Sequence, residues 1–579
     1  SRSFHDRPAP LTSLSRVFCL ARLRARRFTK LAAALLGGLA LAVVALAFLV
    51  PAVAAVFPAI ARVPVEGSAL QTHVGVAEGL TRGRILAALR FTVTEAFLSA
   101  VVAILIGVPA AALAARRDFP GRRFLLSLSG VPLCVPPVII ALAFVLFYGR
   151  QGYLNAFLMR AFGLADPPVT FLYSLAGVVI AHGFYNFPVV LRTVTTAWER
   201  LDGSELEAAA LLGASPARAF RTITLPRLWG SILSSAALVF LYCFFSFVIV
   251  LLFGGIGGTT LEVELYRAAR ASLDFRSAGA IALVETAVAS SVVAAYAWAS
   301  RAAARAPGGS GVARPRKPLS GALERSLAAA YLAFIAIFFL GPLASILVRS
   351  LLAPVSSPFS SALSLSPVAW ATFLSRRNFV PALANTVIVA LASSALATVA
   401  ALFFALSLDR ARGPIARAAR NAAPLSPLAV SSVMLAFGWS LVAPRGSRAV
   451  LVLAEAAIAW PFAWTQIRAA LDRVPESVRE ASALLSPSRL DLRFRVLIPL
   501  LWKGILSGAG FVFAISAGDA TLPLVLSIRG FENLPLLLFR LAGSYRFSEA
   551  CACAVFIAAL TGFAFFLQDA ADRGERRAS

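Results

Sequence analysis

A dozen stretches of this chain run for about 20 residues with almost no charge, the length a helix needs to cross a hydrocarbon core. They lie near 31–58, 91–115, 124–147, 171–192, 229–253 and 278–300, then 326–349, 385–408, 424–442, 449–468, 503–526 and 549–567. Inside lipid a backbone has no water to bond, so uncharged runs of this length are predicted to be helices. The expected fold is therefore an all-α integral membrane protein with about twelve transmembrane helices. At 59% hydrophobic and 14% charged residues, composition excludes a soluble globular domain. A net charge of +27 would suggest nucleic acid in a soluble chain, but here Lys and Arg fall between the apolar runs. The expected partner is the lipid bilayer, and no nucleic acid. The first run, Leu31 to Ile60, far exceeds the ~7–15 residues of a signal-peptide core and reads as a membrane helix. The absence of an initiator Met leaves room for a short missing leader.

Orientation follows from the basic residues. With the N-terminus inside, the cytoplasmic segments carry 34 Lys and Arg and the opposite segments 15. The positive-inside rule then places both termini in the cytoplasm. The Gly-, Pro- and Arg-rich stretch 301–325 has no apolar period and reads as a flexible cytoplasmic linker. It separates a first domain over 31–300 from a second over 326–568, with a basic N-terminal segment 1–30 and a tail 569–579.

Within two polar loops, at 199–228 and 473–502, one 20-residue pattern occurs twice at an offset of 273. The first copy is Glu207-Ala208-Ala209, then Gly213, then Ile223-Thr224-Leu225-Pro226; the second is Glu480-Ala481-Ser482, then Ser486, then Val496-Leu497-Ile498-Pro499. The offset continues downstream: Trp229 matches Trp502, and Val239-Phe240 matches Val512-Phe513. Each loop reads as two short helices joined by a turn. Gly213 can end the first, Ser215-Pro216 can start the second, and Pro226 closes the segment before the next span. Ser486-Pro487 can do the same work in the second copy. Six spans in each half, both starting inside, make the repeats parallel, with a pathway between them.

The pattern resembles the cytoplasmic coupling loop of binding-protein-dependent ABC importers. The resemblance implies two tandem six-helix importer permease (MetI-like) domains fused in one chain. It further implies two ABC ATPase subunits docked on the loops and a periplasmic binding protein delivering substrate at the bacterial inner membrane. Glu207 and Glu480 would fix the loops against the ATPase. This chain has no P-loop, because its three lysines follow Thr29, Arg316 and Trp502. ATP and magnesium therefore belong to the partner, and the chain is expected to bind no cofactor or metal. The three histidines have no paired spacing, and the five cysteines read as small apolar residues in helix packing.

Further segments resemble the fused permeases of bacterial thiamine importers: Tyr148–Leu154, His182–Pro188, Gly258–Glu262, Gly518-Asp519 and Gly543–Arg546. The resemblance runs from about residue 85 to the last span. Fused ferric-iron permeases share much of it, so thiamine or its phosphates, and ferric iron, both stand as substrates. Intramembrane polar residues add pathway candidates, since each is costly in lipid. Asp519 beside Gly518 would suit either cation; packing against a neighbouring helix is its structural alternative. Glu285, Glu455 and the His182–Asn186 pair follow, the last as a helix–helix hydrogen bond or a pathway group. Glu95, Glu549 and Arg192 sit near the predicted span ends, where they can snorkel, and take no role. The Arg150-Gln151 loop reads as a contact for the binding protein or a structural turn. Pro132, Pro136, Pro137, Gly254, Pro424, Pro427, Gly518 and Pro523 mark expected helix breaks. An ion-driven secondary transporter shares the twelve-span plan but needs no doubled coupling loop. A membrane enzyme would need a histidine or carboxylate cluster that the spacing does not offer.

Overall fold

The computed structural model describes residues 13–60, 74–127, 135–201, 203–253, 258–305, 316–352, 365–408, 423–485 and 493–576. The first half contains α1 (Ser13–Ile60), α2 (Val74–Arg116), β1 (Arg117–Asp118) and α3 (Arg122–Ser127). It continues through α4 (Pro137–Tyr148), α5 (Tyr153–Phe162), α6 (Leu175–Glu199), α7 (Gly203–Leu211) and α8 (Pro216–Phe244). It ends in α9 (Val248–Phe253), α10 (Leu261–Tyr266) and α11 (Phe275–Arg305). After β2 (Lys317–Pro318), the second half has α12 (Ala322–Leu351), α13 (Val368–Leu374), α14 (Phe379–Leu408), α15 (Ser432–Val442) and α16 (Arg448–Asp472). It closes with α17 (Glu476–Leu485), α18 (Arg493–Gly518), α19 (Thr521–Leu526), α20 (Leu534–Gly543) and α21 (Phe547–Arg576). The offset of 273 carries α6 onto α16 and α9 onto α19 end to end.

Eleven helices among the described residues are long and apolar enough to cross a membrane, where twelve were expected. The predicted ninth span, 424–442, is the difference. Its Pro424 and Pro427 hold Ala423–Ala429 in a 3-10 turn, so only the 11 residues of α15 remain α-helical. The third span of the first half, Pro137–Phe162, is long enough but bent, being made of α4 and α5 in sequence. Pro136 is the N-cap of α4 and Pro137 its first residue, and the 12-residue helix stops at the Gly149–Gly152 turn. Pro132 and Gly254 lie outside the described residues.

The predicted fifth and eleventh spans break as well. α8 stops at Phe244 and α9 starts at Val248; α18 stops at Gly518 and α19 starts at Thr521. Asp519 is thus in the joint between two helices rather than inside one.

Each half lends its first long helix to the other. α1 packs on α14, α15 and α16 of the second half as well as on α11. At its closest approach the Pro51 carbonyl oxygen lies 1.9 Å from where a Cβ on Gly438 would be, so only glycine fits there. α12 lies reciprocally on α4: Tyr148 Oη donates to the Phe338 carbonyl at 3.0 Å, and Tyr331 Oη donates to Ile106. Within the first half, α2 and α6 pack closely where Gly107 of α2 faces Val190 and Gly183 of α6 faces Val102, the small-residue contact that lets membrane helices approach.

The linker is partly held in place. Lys317 and Pro318 pair in parallel with Arg117 and Asp118, and Arg316 bridges to Glu199 at 2.8 Å. Glu199 also takes Arg122 at 2.7 Å, and Arg117 pairs with Glu324 at 2.5 Å. From this anchor α12 and α14 run in succession, and Arg493, just after the second polar loop, donates to the Leu406 carbonyl at 2.8 Å where α14 ends.

Candidate functional site

In the first coupling loop, α7 ends in a two-bond glycine cap. Gly213, at φ +79°, donates to Ala210 at 3.0 Å, and Ala214 donates to Ala209 at 2.9 Å. Ser215 Oγ then accepts the Arg218 N–H at 3.3 Å and Pro216 opens the next turn. The expected second short helix is instead the start of the span itself, since Pro216–Phe244 is one helix of 29 residues. Pro226 does not end it. The five-residue wide turn Phe220–Thr224 lies immediately before Leu225-Pro226 and makes room for a ring that would otherwise strike the preceding carbonyl. The second loop repeats this, with the wide turn Arg493–Leu497 before Ile498-Pro499. Ser486 and Pro487 lie outside the described residues.

The loop is braced from below. Phe220 stacks on Trp198 at 6.1 Å, and Arg227 pairs with Glu205 across α7 and α8. Leu406, Leu471, Leu497 and Leu501 form the equivalent base in the second half. The tips are bare: Leu211 and Leu212 are each 89% exposed and Leu484 is 87% exposed. Glu207, Ala208, Glu480 and Ala481 are exposed, Ala209 is half-buried, Leu225 and Ile498 are half-buried, and Pro226 and Pro499 are exposed. Neither Glu207 nor Glu480 is hydrogen-bonded or ion-paired among the described residues. Between α7 and the foot of α2 lies a cavity of ≈ 810 Å³, lined by Arg116, Trp198, Leu206, Phe220 and Lys317 among others.

The intramembrane polar residues gather at the two helix breaks. In the first half, His182 of α6 joins Glu95 of α2 through Nδ1, and its Nε2 lies 2.7 Å from Ser246 Oγ in the α8–α9 joint. Ser99 Oγ donates to the same Glu95 oxygen at 2.8 Å. Asn186 donates to its own helix at the His182 carbonyl, 3.0 Å, and to Cys243 Sγ at 3.5 Å. In the second half, Asp519 accepts the N–H groups of Thr521 at 3.0 Å and Leu522 at 2.9 Å, starting α19 as a cap. The Glu455 carboxyl lies beside that of Asp519, with Ser516 adjacent. At the 273 offset, His182 corresponds to Glu455, Cys243 to Ser516 and Ser246 to Asp519. A second pair of carboxyls, Glu262 of α10 and Glu285 of α11, faces Ser431 at the start of α15. Both are fully buried and all four oxygens lack hydrogen-bond partners among the described residues.

The structure corrects the reading of Glu95. The α2 helix begins well before the predicted span, which carries Glu95 into the interior, where it is fully buried and bonded rather than snorkelling. Cys243, Ser246 and Glu262 were also missed as site residues; the 273 offset, applied to Asp519, points to Ser246. Glu549 is buried in an ion pair with Arg376 at 2.6 Å, and Arg192 is exposed. The Tyr148–Leu154 segment is a pinned turn, because buried Asn155 donates to Gly149 at 2.9 Å and to Val169 at 2.8 Å.

Two quasi-equivalent helical bundles with short helices bared at one end and polar joints inside the membrane define a duplicated transport permease. Comparison with known proteins narrows the class. Residues 103–305 match the family described as "Binding-protein-dependent transport system inner membrane component". The chain is 28% identical over 512 residues to the thiamine transport system permease protein ThiP of Brucella abortus (strain 2308), covering 84% of this chain and 88% of that protein. To the protein of the same name from Escherichia coli (strain K12) it is 28% identical over 486 residues, 81% of this chain and 85% of that one. A Salmonella typhi protein named as a 2-aminoethylphosphonate transport system permease, PhnU, is 34% identical over 201 residues, 35% of this chain and 70% of its own length. The chain belongs to the binding-protein-dependent permease family and is the membrane-spanning transport subunit of an ABC importer.

Proposed function

We propose that this permease carries thiamine or its phosphates inward, driven by ATP hydrolysed on two separate ABC ATPase subunits. The observation that carries the substrate is the match to thiamine permeases across most of both chains. The Glu455–Asp519 carboxyl pair at the second break suits a cationic thiazolium. That same pair would suit ferric iron, the competing cargo.

In this reading a periplasmic binding protein delivers the cargo, both termini are cytoplasmic, and one ATPase grips each of α7 and α17. Glu207 and Glu480, with Ala208, Ala209, Ala481 and Ser486, form the contact around the bare leucines. Gly213 permits the turn, and Leu225-Pro226 and Ile498-Pro499 root the helices. ATP binding brings the two ATPases together, and α8 and α18 carry that motion into the membrane. Asp519, Glu285, His182 and Asn186 border the pathway. The chain itself binds no nucleotide.

The test is uptake by proteoliposomes holding this chain, its ATPase and its binding protein. ATP-dependent accumulation of labelled thiamine, with no ferric-iron accumulation, is expected. The reverse preference would reassign the substrate while leaving the importer intact.

A further inference from the structure

We infer that Glu95, His182 and Cys243 form a binding site for a zinc-class divalent transition metal inside the first half. Their donor atoms all lie within 4.8 Å of one another, and all three residues are buried. A tetrahedral zinc ion sets its donors about 3.4 Å apart, so the hydrogen-bonded His182–Glu95 pair would spread and the wider separations close, each by modest side-chain rotation. Oxygen, nitrogen and sulfur donors together are a set that zinc accepts and that magnesium and calcium do not favour.

Two orphan atoms support a missing ligand. Glu95 Oε2 and Asn186 Oδ1 are buried with no hydrogen-bond partner among the described residues. Leaving such an acceptor unmet costs about 1–3 kcal/mol. Asn186 Oδ1 belongs to the residue whose Nδ2 already donates to Cys243 Sγ and the His182 carbonyl, so the unmet acceptor borders the three donors, and a water completes the four-coordinate set. The outer shell is also in place. His182 Nε2 sits 2.7 Å from Ser246 Oγ, and donation there leaves the Nδ1 lone pair for the ion, the usual way a ligating histidine is oriented.

Binding is a balanced exchange. The ion takes Cys243 as thiolate, His182 as neutral imidazole and Glu95 as carboxylate. The thiol proton leaves to solvent, and the proton held between His182 Nδ1 and Glu95 is replaced by one on Nε2, which then donates to Ser246, so the ring stays neutral.

The donor set is particular to the first half. Leu261 donates to Thr92 and its counterpart Leu534 donates to Thr386, which sets Val389 opposite Glu95; with Glu455, Ala459 and Ser516 at the 273 offset, the second half offers no such donor set. An ion here would tie α2, α6 and α8 together in one half only.

The experiment uses the full-length chain in detergent, stripped with a chelator and titrated with Co²⁺. We expect a saturable thiolate-to-cobalt absorption band, displaced by Zn²⁺, and a rise in thermal midpoint on adding Zn²⁺. Both are lost in Cys243→Ser and kept in the Cys551→Ser, Cys553→Ser double variant. Because Cys243→Ser could misfold, X-ray absorption on the unaltered zinc-loaded chain provides an independent reading, with one sulfur and the remainder nitrogen or oxygen expected. The absence of a band in the unaltered chain, a band surviving Cys243→Ser, or a two-sulfur shell would overturn the site. None of these outcomes bears on whether thiamine is the cargo.

Discussion

His182 and Glu455 occupy the same place in the two halves, 273 residues apart, each on the helix that faces a break in its neighbour. One meets Ser246 in its break and the other meets Asp519. Duplication has preserved the joint and let its chemistry diverge, basic and thiol-bearing on one side, acidic on the other.

Removing the imidazole exposes what it holds. His182→Ala leaves the Glu95 carboxyl buried without its partner, which should cost about 3–5 kcal/mol. We expect a lower thermal midpoint in detergent and reduced membrane levels. An unchanged midpoint would mean that water replaces the ring and that the pair contributes little.

At the other joint, charge and capping can be separated. Asp519→Asn keeps one acceptor for the α19 N-terminus but removes the negative charge; Asp519→Ala removes both. If the carboxyl attracts the cargo, Asp519→Asn should fold normally and lose most uptake. Uptake equal to the unaltered protein would confine Asp519 to capping.

The coupling surface predicts a clean loss of partner. The double change Glu207→Arg, Glu480→Arg alters two exposed side chains that hold nothing within the described chain. Surface substitutions of this kind shift stability by about 0.5 kcal/mol or less. The protein should therefore remain in the membrane while its ATPase no longer co-purifies. Undiminished co-purification would remove these residues from the contact.

Gly213 isolates backbone strain from clash. A Cβ there meets nothing within 4 Å, yet φ is +79°. Gly213→Ala should cost about 1–2 kcal/mol of local strain. We expect normal assembly in the membrane and weaker binding-protein-stimulated ATPase activity. Full stimulation would show that the turn tolerates a side chain.

Gly438 presents the opposite case. Even Gly438→Ala forces α1 away from α15, and overpacking of this kind costs about 1–3 kcal/mol. Lower stability with uptake lost should follow, and a compensating change at Pro51 is not expected to restore it, since the contact is with backbone.

Much of the plan was legible because it rests on length and repetition. Uncharged runs gave the helices, and the offset of 273 paired Glu207 with Glu480 and Pro226 with Pro499. What escaped was set by backbone detail. Pro424, Pro427 and Gly518 were expected break points and are, but the run 424–442 was still read as a full span, and the break after Phe244 has no Pro or Gly to announce it. Glu95 was misplaced because helix α2 extends many residues before its most apolar part. Cys243 joins His182 only in three dimensions, since the helices that hold them are neighbours across the fold rather than along the chain.

The unbroken 29-residue helix from Pro216 to Phe244 has a mechanical meaning. At 1.5 Å per residue it is a rod about 43 Å long, with its foot beside the bare leucines and its head at the Ser246 joint. Above the wide turn the 20 residues Leu225–Phe244 form a lever of about 30 Å, so a tilt of about 5° there would swing the head by roughly 3 Å. Such a crank needs no relay of side chains, only a pivot, and the wide turn at Phe220–Thr224 supplies one where the rod leaves the loop.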